Sequence, residues 1–173
     1  MNTQKITQTD LNNLFKEVKE EVKDLVPYSN KIDDNIRINK RAFRFLGRCT
    51  KNWLKDSYFI TVSQPLLNTN NTKLIKETLI HELIHTCKNC FNHGNNFKYF
   101  MYAVNNRTDY NITIGSNNKE YAEQVNKIKI SRKPKYKITC VKCGMVTYRN
   151  RLQKNVTYTH AIDNGNLIIE ELR

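Results

Sequence analysis

The sequence lacks any apolar segment long enough to cross a lipid bilayer, since no run approaches the roughly 20 residues that a membrane-spanning helix needs. The polar segment at residues 1–10 contains no apolar stretch of the kind found in a secretory signal, so we expect an intracellular protein. Apolar residues make up only 39% of the 173 residues, which is low for a globular chain but too high for a wholly disordered one. Length and composition therefore predict one ordinary domain, with room for a small appendage.

The sequence also lacks the even number of cysteines that is typical of a disulfide framework, because it contains five. Four of them form two C-x-x-C pairs, Cys87 with Cys90 and Cys140 with Cys143, and Cys49 stands alone. In an intracellular chain such pairs bind metal or stay reduced more often than they form structural disulfides. Both pairs are therefore candidates for metal binding, and Cys49 is expected to be a small buried residue.

Acidic residues are absent from residues 127–154, a window that holds ten Lys or Arg residues. The whole chain has 29 basic and 16 acidic residues and a net charge of +13. Such a concentration of cations destabilises a compact state by self-repulsion unless a polyanion offsets it. The window therefore predicts contact with nucleic acid. The candidate residues for that contact are Lys133, Lys135, Lys137, Lys142, Arg149, Arg151 and Lys154.

Hydrophobic periodicity predicts four helices and two groups of short strands. The helices are expected over residues 9–26, from a cap in segment 68–72 to about Thr86, from just after Gly94, and over Lys119–Ile130. The strands are expected at Lys31–Ile38, Ala42–Cys49, Ser57–Ser63, Tyr136–Cys140, Met145–Arg149, Val156–Thr159 and Leu167–Ile169. The pattern predicts an α+β fold with a boundary at Pro134, which separates residues 1–133 from a β-rich appendage at 134–173. An appendage of about 40 residues holds together poorly without a metal.

The second predicted helix contains an H-E-x-x-H motif, formed by His81, Glu82 and His85. Histidines four residues apart lie on one face of a helix, roughly 5–6 Å apart, and both can reach one zinc ion. The glutamate next to the first histidine can point at a metal-bound water and act as a general base. The rest of the helix is apolar, and polar groups on its buried side would be costly without a metal. The motif therefore predicts a zinc site with Glu82 as the catalytic base.

The third zinc ligand decides the class of this site, because a catalytic zinc usually has three protein ligands. The metzincin pattern needs Gly and His at the positions of Lys88 and Phe91, so it is excluded. Glu120 and Glu123, on a later predicted helix, are alternatives. We favour His93, because a tight turn could return it to the metal.

The segment HELIHTCKNCFNHGNNF resembles the SprT-like zinc metallopeptidases, the family that includes Spartan, in its H-E-x-x-H motif followed by H-G-x-x-F. The segment Leu46-Gly47-Arg48-Cys49 fits the minigluzincin-like core of that family, which has helices and a small antiparallel sheet, and KITCVKCG resembles the start of its zinc ribbon. The resemblance implies that His81, His85 and His93 bind Zn²⁺ and that Glu82 is catalytic.

The same resemblance implies a function. Eukaryotic members of the family degrade proteins crosslinked to DNA, and DNA activates their proteolysis. The resemblance therefore implies a DNA-associated zinc endopeptidase that acts on protein substrates in repair of DNA–protein crosslinks. We expect a cytoplasmic protein of bacterial or phage-like origin, with association with the nucleoid as an alternative, and no membrane partner.

The predicted ribbon departs from the family pattern, because His160 and Asp163 occupy the position of its second C-x-x-C. A mixed zinc site of Cys140, Cys143, His160 and Asp163 is chemically allowed, since zinc accepts sulfur, nitrogen and oxygen ligands. Two alternatives stay open: a degenerate ribbon that folds without metal, and a four-thiolate site shared by the two C-x-x-C pairs. Outside such a site the first pair would shape the turn between the histidines or form a reversible disulfide.

A second function class also stays open, namely a non-catalytic nucleic-acid-binding zinc protein with a vestigial H-E-x-x-H site. Glu82 favours the enzyme, because a purely structural site has no use for a base. The altered ribbon favours some loss of an ancestral role. Cleavage that depends on Glu82 would identify the enzyme, and salt-dependent binding without cleavage would identify the second class.

Overall fold

The computed structural model describes residues 6–115, 119–131, 134–153 and 157–172, without the side chains of residues 120 and 127–131. The described chain has the predicted α+β class, with five helices and two three-stranded sheets. It divides into two compact units, Met1–Ile128 and Lys129–Arg173, and the appendage predicted from Pro134 lies within the second. None of the described helices is long and apolar enough to cross a membrane.

The first unit is built around a small mixed sheet. Its helices are α1 (Gln8–Val22), α2 (Gln64–Leu67), α3 (Thr72–Ile84), α4 (Asn95–Arg107) and most of α5 (Lys119–Ser131). Its strands are β1 (Arg37–Asn39), β2 (Gly47–Asn52) and β3 (Ser57–Ser63). The central strand β3 runs parallel to β1 and antiparallel to β2, so the sheet is not purely antiparallel and β2 forms one of its edges.

Helix α3 is the buried centre of this unit. The side chain of Asn71 caps it by accepting a hydrogen bond from the backbone N–H of Leu74 at 3.0 Å, as the Asn-rich segment predicted. Eight of its 13 residues are buried, so it packs on several sides rather than along one stripe. Lys76 ties it to α1 through ion pairs with Glu17 and Glu21 at 3.0 and 2.8 Å. The H-E-x-x-H motif therefore lies on a firmly held element.

Several predicted elements have different bounds in the structure. The strand predicted at Ala42–Cys49 begins at Gly47 and runs to Asn52 instead, because the apolar side chains before Gly47 pack against the core from an irregular segment. Of the strand predicted at Lys31–Ile38 only the end forms, as β1. The first helix ends at Val22 rather than at residue 26, and the short α2 was not predicted. The bounds of β3 and the start of α4 after its Gly94 cap are confirmed.

The second unit is an antiparallel sheet of β4 (Tyr136–Cys140), β5 (Val146–Arg149) and β6 (Leu167–Glu171), with β4 in the centre. The strand predicted at Val156–Thr159 does not form as one. Thr159 makes an isolated bridge to Asn166, and Val156 lies outside the described residues. Two turns, at residues 140–145 and 160–165, meet beside this sheet.

Candidate metal centre

Three histidine side chains meet at the C-terminal end of α3. His81 lies on α3, His85 is its C-cap, and His93 lies in the loop before α4. The Nε2 atom of His81 lies 3.0 Å from Nε2 of His93 and 3.2 Å from Nε2 of His85. The structure thus brings together the three histidines named from the sequence, with their Nε2 atoms around one point.

Backbone carbonyl groups hold the other ring nitrogen of two of these histidines. Nδ1 of His81 lies 2.9 Å from the carbonyl oxygen of Thr113, and Nδ1 of His85 lies 2.7 Å from that of Cys90. A carbonyl oxygen only accepts hydrogen bonds, so each Nδ1 must carry the proton and each Nε2 of the neutral ring presents a lone pair. Lone pairs 3.2 Å apart repel each other unless a cation lies between them. The donor set therefore fits a metal ion such as zinc.

Burial favours the neutral form of His81 and His85. Desolvation lowers the pKa of His81 to about 4, with further contributions from His85 and His93. Desolvation also lowers the pKa of His85. Neutral imidazole is the form that binds zinc, so these rings are available as ligands at neutral pH.

Phe97, in the first turn of α4, supports the whole histidine cluster. Its ring centroid lies 4.7–4.8 Å from the centroids of all three imidazoles, and its side chain is fully buried. Because α4 begins after Gly94, the H-G-x-x-F segment places His93 and this supporting ring within one turn of each other. Periodicity marked Phe97 only as a core residue of a helix, and no pattern indicated its contact with all three histidines.

Glu82 is buried beside the cluster, with 6% of its surface exposed. Burial raises the pKa of this carboxyl group to about 8, against the opposing effects of a hydrogen bond from the backbone N–H of Cys49 and the positive charge of Arg48. Both of these residues belong to β2, which approaches α3 at Gly47. The edge strand of the sheet therefore holds the glutamate next to the histidines.

A cleft of about 800 Å³ contains these groups. Its lining includes Arg44 and Arg48 from the region of β2, Phe91 from the loop before His93, and residues 111–113, which we call the strap. The volume is within the usual range of ligand-binding pockets. The cleft can therefore receive a segment of a substrate beside the histidines.

The side chain of Asn105, on α4, forms two hydrogen bonds with the backbone of the strap. Oδ1 of Asn105 accepts a hydrogen bond from the backbone N–H of Ile112 at 2.7 Å, and Nδ2 of Asn105 donates to the Ile112 carbonyl at 2.9 Å. These two bonds fix the peptide groups on both sides of Ile112, next to Thr113, whose carbonyl oxygen lies 2.9 Å from Nδ1 of His81. Asn105 thus supports a candidate zinc ligand through the backbone, which no sequence pattern indicated.

Of the two alternative third ligands, the one that the structure describes, Glu123, does not join this cluster. Glu123 is exposed on α5 and is not grouped with the histidines, and the side chain of Glu120 lies outside the described residues. Cys87 and Cys90 are buried free thiols in the turn between His85 and His93. In the described structure they contribute to this turn, where the backbone carbonyl of Cys90 accepts a hydrogen bond from Nδ1 of His85.

Comparison with models of protein families finds that residues 11–139 match the SprT-like family. The chain belongs to the SprT-like family. The matched span covers most of the first unit and includes the histidine cluster and Glu82, so it confirms the resemblance carried by the H-E-x-x-H and H-G-x-x-F segments. A comparison with curated proteins finds no match.

The SprT-like chain has a second cluster of potential metal ligands in its appendage. The donor atoms of Cys140, Cys143, His160 and Asp163 all lie within 4.8 Å of one another. Nδ1 of His160 lies 3.5 Å from Sγ of Cys143 and 2.8 Å from Oδ1 of Asp163. The same Oδ1 lies 3.6 Å from Sγ of Cys140. Of the arrangements considered from the sequence, the mixed set is therefore the one that the second unit brings together.

The two turns that carry these four residues share one backbone pattern. In residues 140–145 and in residues 160–165, the N–H of the fifth residue donates to the carbonyl of the first, and the N–H of the first donates to the carbonyl of the sixth, at 2.8–2.9 Å. The fifth residue has a positive φ in both turns, 72° at Gly144 and 51° at Asn164. The histidine and aspartate of the second turn therefore stand where the first turn has its two cysteines.

The predicted nucleic-acid contacts that the structure describes are Lys135, Lys137, Lys142, Arg149 and Arg151, all in the appendage. Lys137 forms an ion pair with Glu170 at 3.2 Å, and Nζ of Lys142 donates to the carbonyl of Asp163 at 3.0 Å. Arg149 and Arg151 are exposed and line a cleft of the appendage. Lys133 and Lys154 lie outside the described residues.

Proposed function

We propose that this SprT-like protein is a zinc-dependent endopeptidase. The observation that carries the proposal is the meeting of three histidine Nε2 atoms beside a buried glutamate in a cleft of substrate size. His81, His85 and His93 would hold the ion. Bound zinc would supply a Lewis acid for the scissile carbonyl and lower the pKa of a water molecule. Membership of the family supports a metallopeptidase-like domain.

Glu82 is the proposed general base. It adjoins His81 on the same helix, and burial raises its pKa to about 8, close to the working pH, where one group can both accept a proton and return it. It takes a proton from the attacking water and returns it to the leaving amine. The edge strand β2 lies next to it, and the outer backbone groups of an edge strand can bind an extended peptide.

The substitution Glu82→Gln tests this role, because it keeps the shape of the side chain and removes its basicity. We expect the variant to keep its zinc and to lose cleavage of a protein substrate by roughly 10²-fold or more. Glu123→Gln is the matched control, since this glutamate is exposed on α5, and it should keep both zinc and cleavage. A Glu82→Gln enzyme that cleaves as fast as the wild type would refute the mechanism.

We further propose that the substrates are proteins bound or crosslinked to DNA. Residues 127–154 support this proposal, because they contain ten Lys or Arg residues and no acidic residue. Arg149 and Arg151 are among the cations that are exposed on the appendage. Reversing both charges to Glu should weaken DNA binding and abolish any stimulation of cleavage by DNA, without changing cleavage in its absence. The double variant Lys16→Glu/Lys98→Glu changes the net charge equally on the first unit and is the control.

We also propose that the appendage binds a second Zn²⁺ through its mixed cluster, as a variant zinc ribbon attached to a minigluzincin-like core. The equivalence of its two turns supports this assignment. A cytoplasmic or nucleoid-associated location is part of the same proposal. The altered ribbon favours one alternative, a nucleic-acid-binding zinc protein without activity. That alternative would show salt-dependent DNA binding and no cleavage that depends on Glu82.

A further inference from the structure

Two exposed aromatic rings lie side by side on the first unit. Trp53, in the turn between β2 and β3, is 74% exposed, and Phe91, in the loop before His93, is 59% exposed. Their ring centroids are 6.5 Å apart, with the planes tilted by 51°. Large aromatic side chains that are exposed together mark a contact surface. We call this pair the aromatic platform.

The platform borders the cleft that contains the histidine centre. Phe91 lines this cleft together with His85 and His93. Trp53 directly follows β2, the strand whose backbone bonds to Glu82. A ligand on the platform would therefore lie next to the proposed cleavage site.

Basic side chains accompany the platform. Nζ of Lys51 lies 4.5 Å from the centroid of the Trp53 ring. Residues 44–58 contain four Lys or Arg residues and a single acid, Asp56, which pairs with Lys51 at 3.0 Å. An apolar peptide side chain needs no such charges. Aromatic rings among cations are the arrangement that binds a polynucleotide, because bases stack on the rings and the phosphates pair with the cations.

We propose that Trp53 and Phe91 form a stacking site for the bases of a single-stranded polynucleotide at the rim of the catalytic cleft. The inference rests on the proposed association with DNA and adds a site on the first unit to the basic appendage. Base faces are hidden within a duplex, so this site selects single strands. It would hold the strand that carries a crosslinked protein beside the cleft.

Trp53 is the only tryptophan of the chain, so tryptophan fluorescence reports on this site alone. The full-length Glu82→Gln protein is titrated with an oligothymidylate of about 12 nucleotides, and a fluorescein-labelled copy of the same oligonucleotide reports total binding by anisotropy. We expect saturable quenching of Trp53 over the concentration range in which the anisotropy rises.

Substitutions at the turn separate stacking from apolar contact. Trp53→Ala should weaken oligonucleotide binding roughly tenfold, and Trp53→Phe should retain most of it because a ring remains. Leu54→Ala is the matched control: the neighbouring side chain is apolar and 99% exposed but offers no ring, so its loss should leave binding unchanged. The high exposure of Trp53 makes an effect of its replacement on folding small.

Three results would overturn the proposal, and each has a different consequence for the proposed association with DNA. If the anisotropy rises without quenching of Trp53, and the Trp53→Ala variant binds the oligonucleotide with the same affinity, the platform is not the binding site. The association with DNA would then still stand. If neither the fluorescence of Trp53 nor the anisotropy shows binding of the oligonucleotide, both the stacking site and the association with DNA are refuted. Quenching by an apolar peptide but not by the oligonucleotide, weakened by Leu54→Ala, would make the platform a surface for protein substrates.

Discussion

Gly47 on β2 and Glu82 on α3 lie so close together that only glycine fits at position 47. A Cβ at Gly47 would lie 2.8 Å from both Cγ and Oε1 of Glu82, and 2.8 Å from Cγ2 of Thr78. A Cβ atom does not lie this close to non-bonded atoms in folded proteins, so a side chain at position 47 would displace either β2 or Glu82. The edge strand and the proposed catalytic base are therefore positioned against each other.

Gly47→Ala should reduce catalysis while the histidines still bind zinc. We expect kcat/KM to fall at least tenfold because Glu82 is displaced, and the free energy of unfolding to fall by about 1–3 kcal/mol because the contact is overpacked. Gly115→Ala is the control, since a Cβ there would meet nothing within 4 Å. Equal kcat/KM for Gly47→Ala and the wild type would contradict the close contact.

Asn105→Ala should weaken zinc binding although Asn105 is not a ligand. Its loss releases the peptide groups of Ile112, and with them the carbonyl of Thr113 that orients His81. Zinc affinity, measured by competition with a chelator, should fall about tenfold. Asn106→Ala changes the neighbouring exposed residue and should have no effect. If both variants bind zinc equally tightly, the strap does not support the ligand.

Asp163→Cys should convert the mixed cluster of the appendage into a site with three thiolates. Because the two turns share one backbone pattern, the new thiol would take the place that Cys143 has in the first turn. With cobalt as a probe, the thiolate-to-metal charge-transfer absorption should grow relative to that of the wild type. Ile162→Cys, whose position is 86% exposed, should leave the spectrum unchanged. A larger signal from Ile162→Cys than from Asp163→Cys would contradict the equivalence of the turns.

Cys49 should resist alkylation at pH 8. Burial, with a smaller contribution from the charge of Glu82, raises the pKa of its thiol to about 12. At pH 8 only about one Cys49 thiol in 10⁴ is therefore ionised. Mass spectrometry after treatment with iodoacetamide should find Cys49 unlabelled in the native protein and labelled in urea. Labelling of the native protein at the rate of a free thiol would show that β2 is not packed against Glu82.

The sequence predicted those parts of the site that depend on local spacing. The H-E-x-x-H motif needs only the period of a helix to bring His81 and His85 together, and the cap at Asn71 and the strand at Ser57–Ser63 also follow from neighbouring residues. His93 was favoured over Glu120 and Glu123 because a tight turn after His85 could return it to the metal. The structure brings His93 to the other two histidines.

Other features depend on contacts between distant segments and have no local pattern. The apolar residues before Gly47 were predicted to form a strand, yet Phe43 and Leu46 pack against the core from an irregular segment. The hydrogen bonds of Asn105 and of the Thr113 carbonyl join α4, the strap and α3, and a backbone carbonyl has no signature in the side-chain sequence. Such contacts become visible only when the segments are folded together.

The most direct test of the account is the zinc content of the full chain, measured by elemental analysis together with cleavage of a protein substrate. We expect two zinc ions per wild-type chain, one at each cluster. His93→Ala should lose one ion and its cleavage, whereas His160→Ala should lose the other ion and keep cleavage in the absence of DNA. A His93→Ala chain that retains both ions and cleaves like the wild type would contradict the three-histidine catalytic centre.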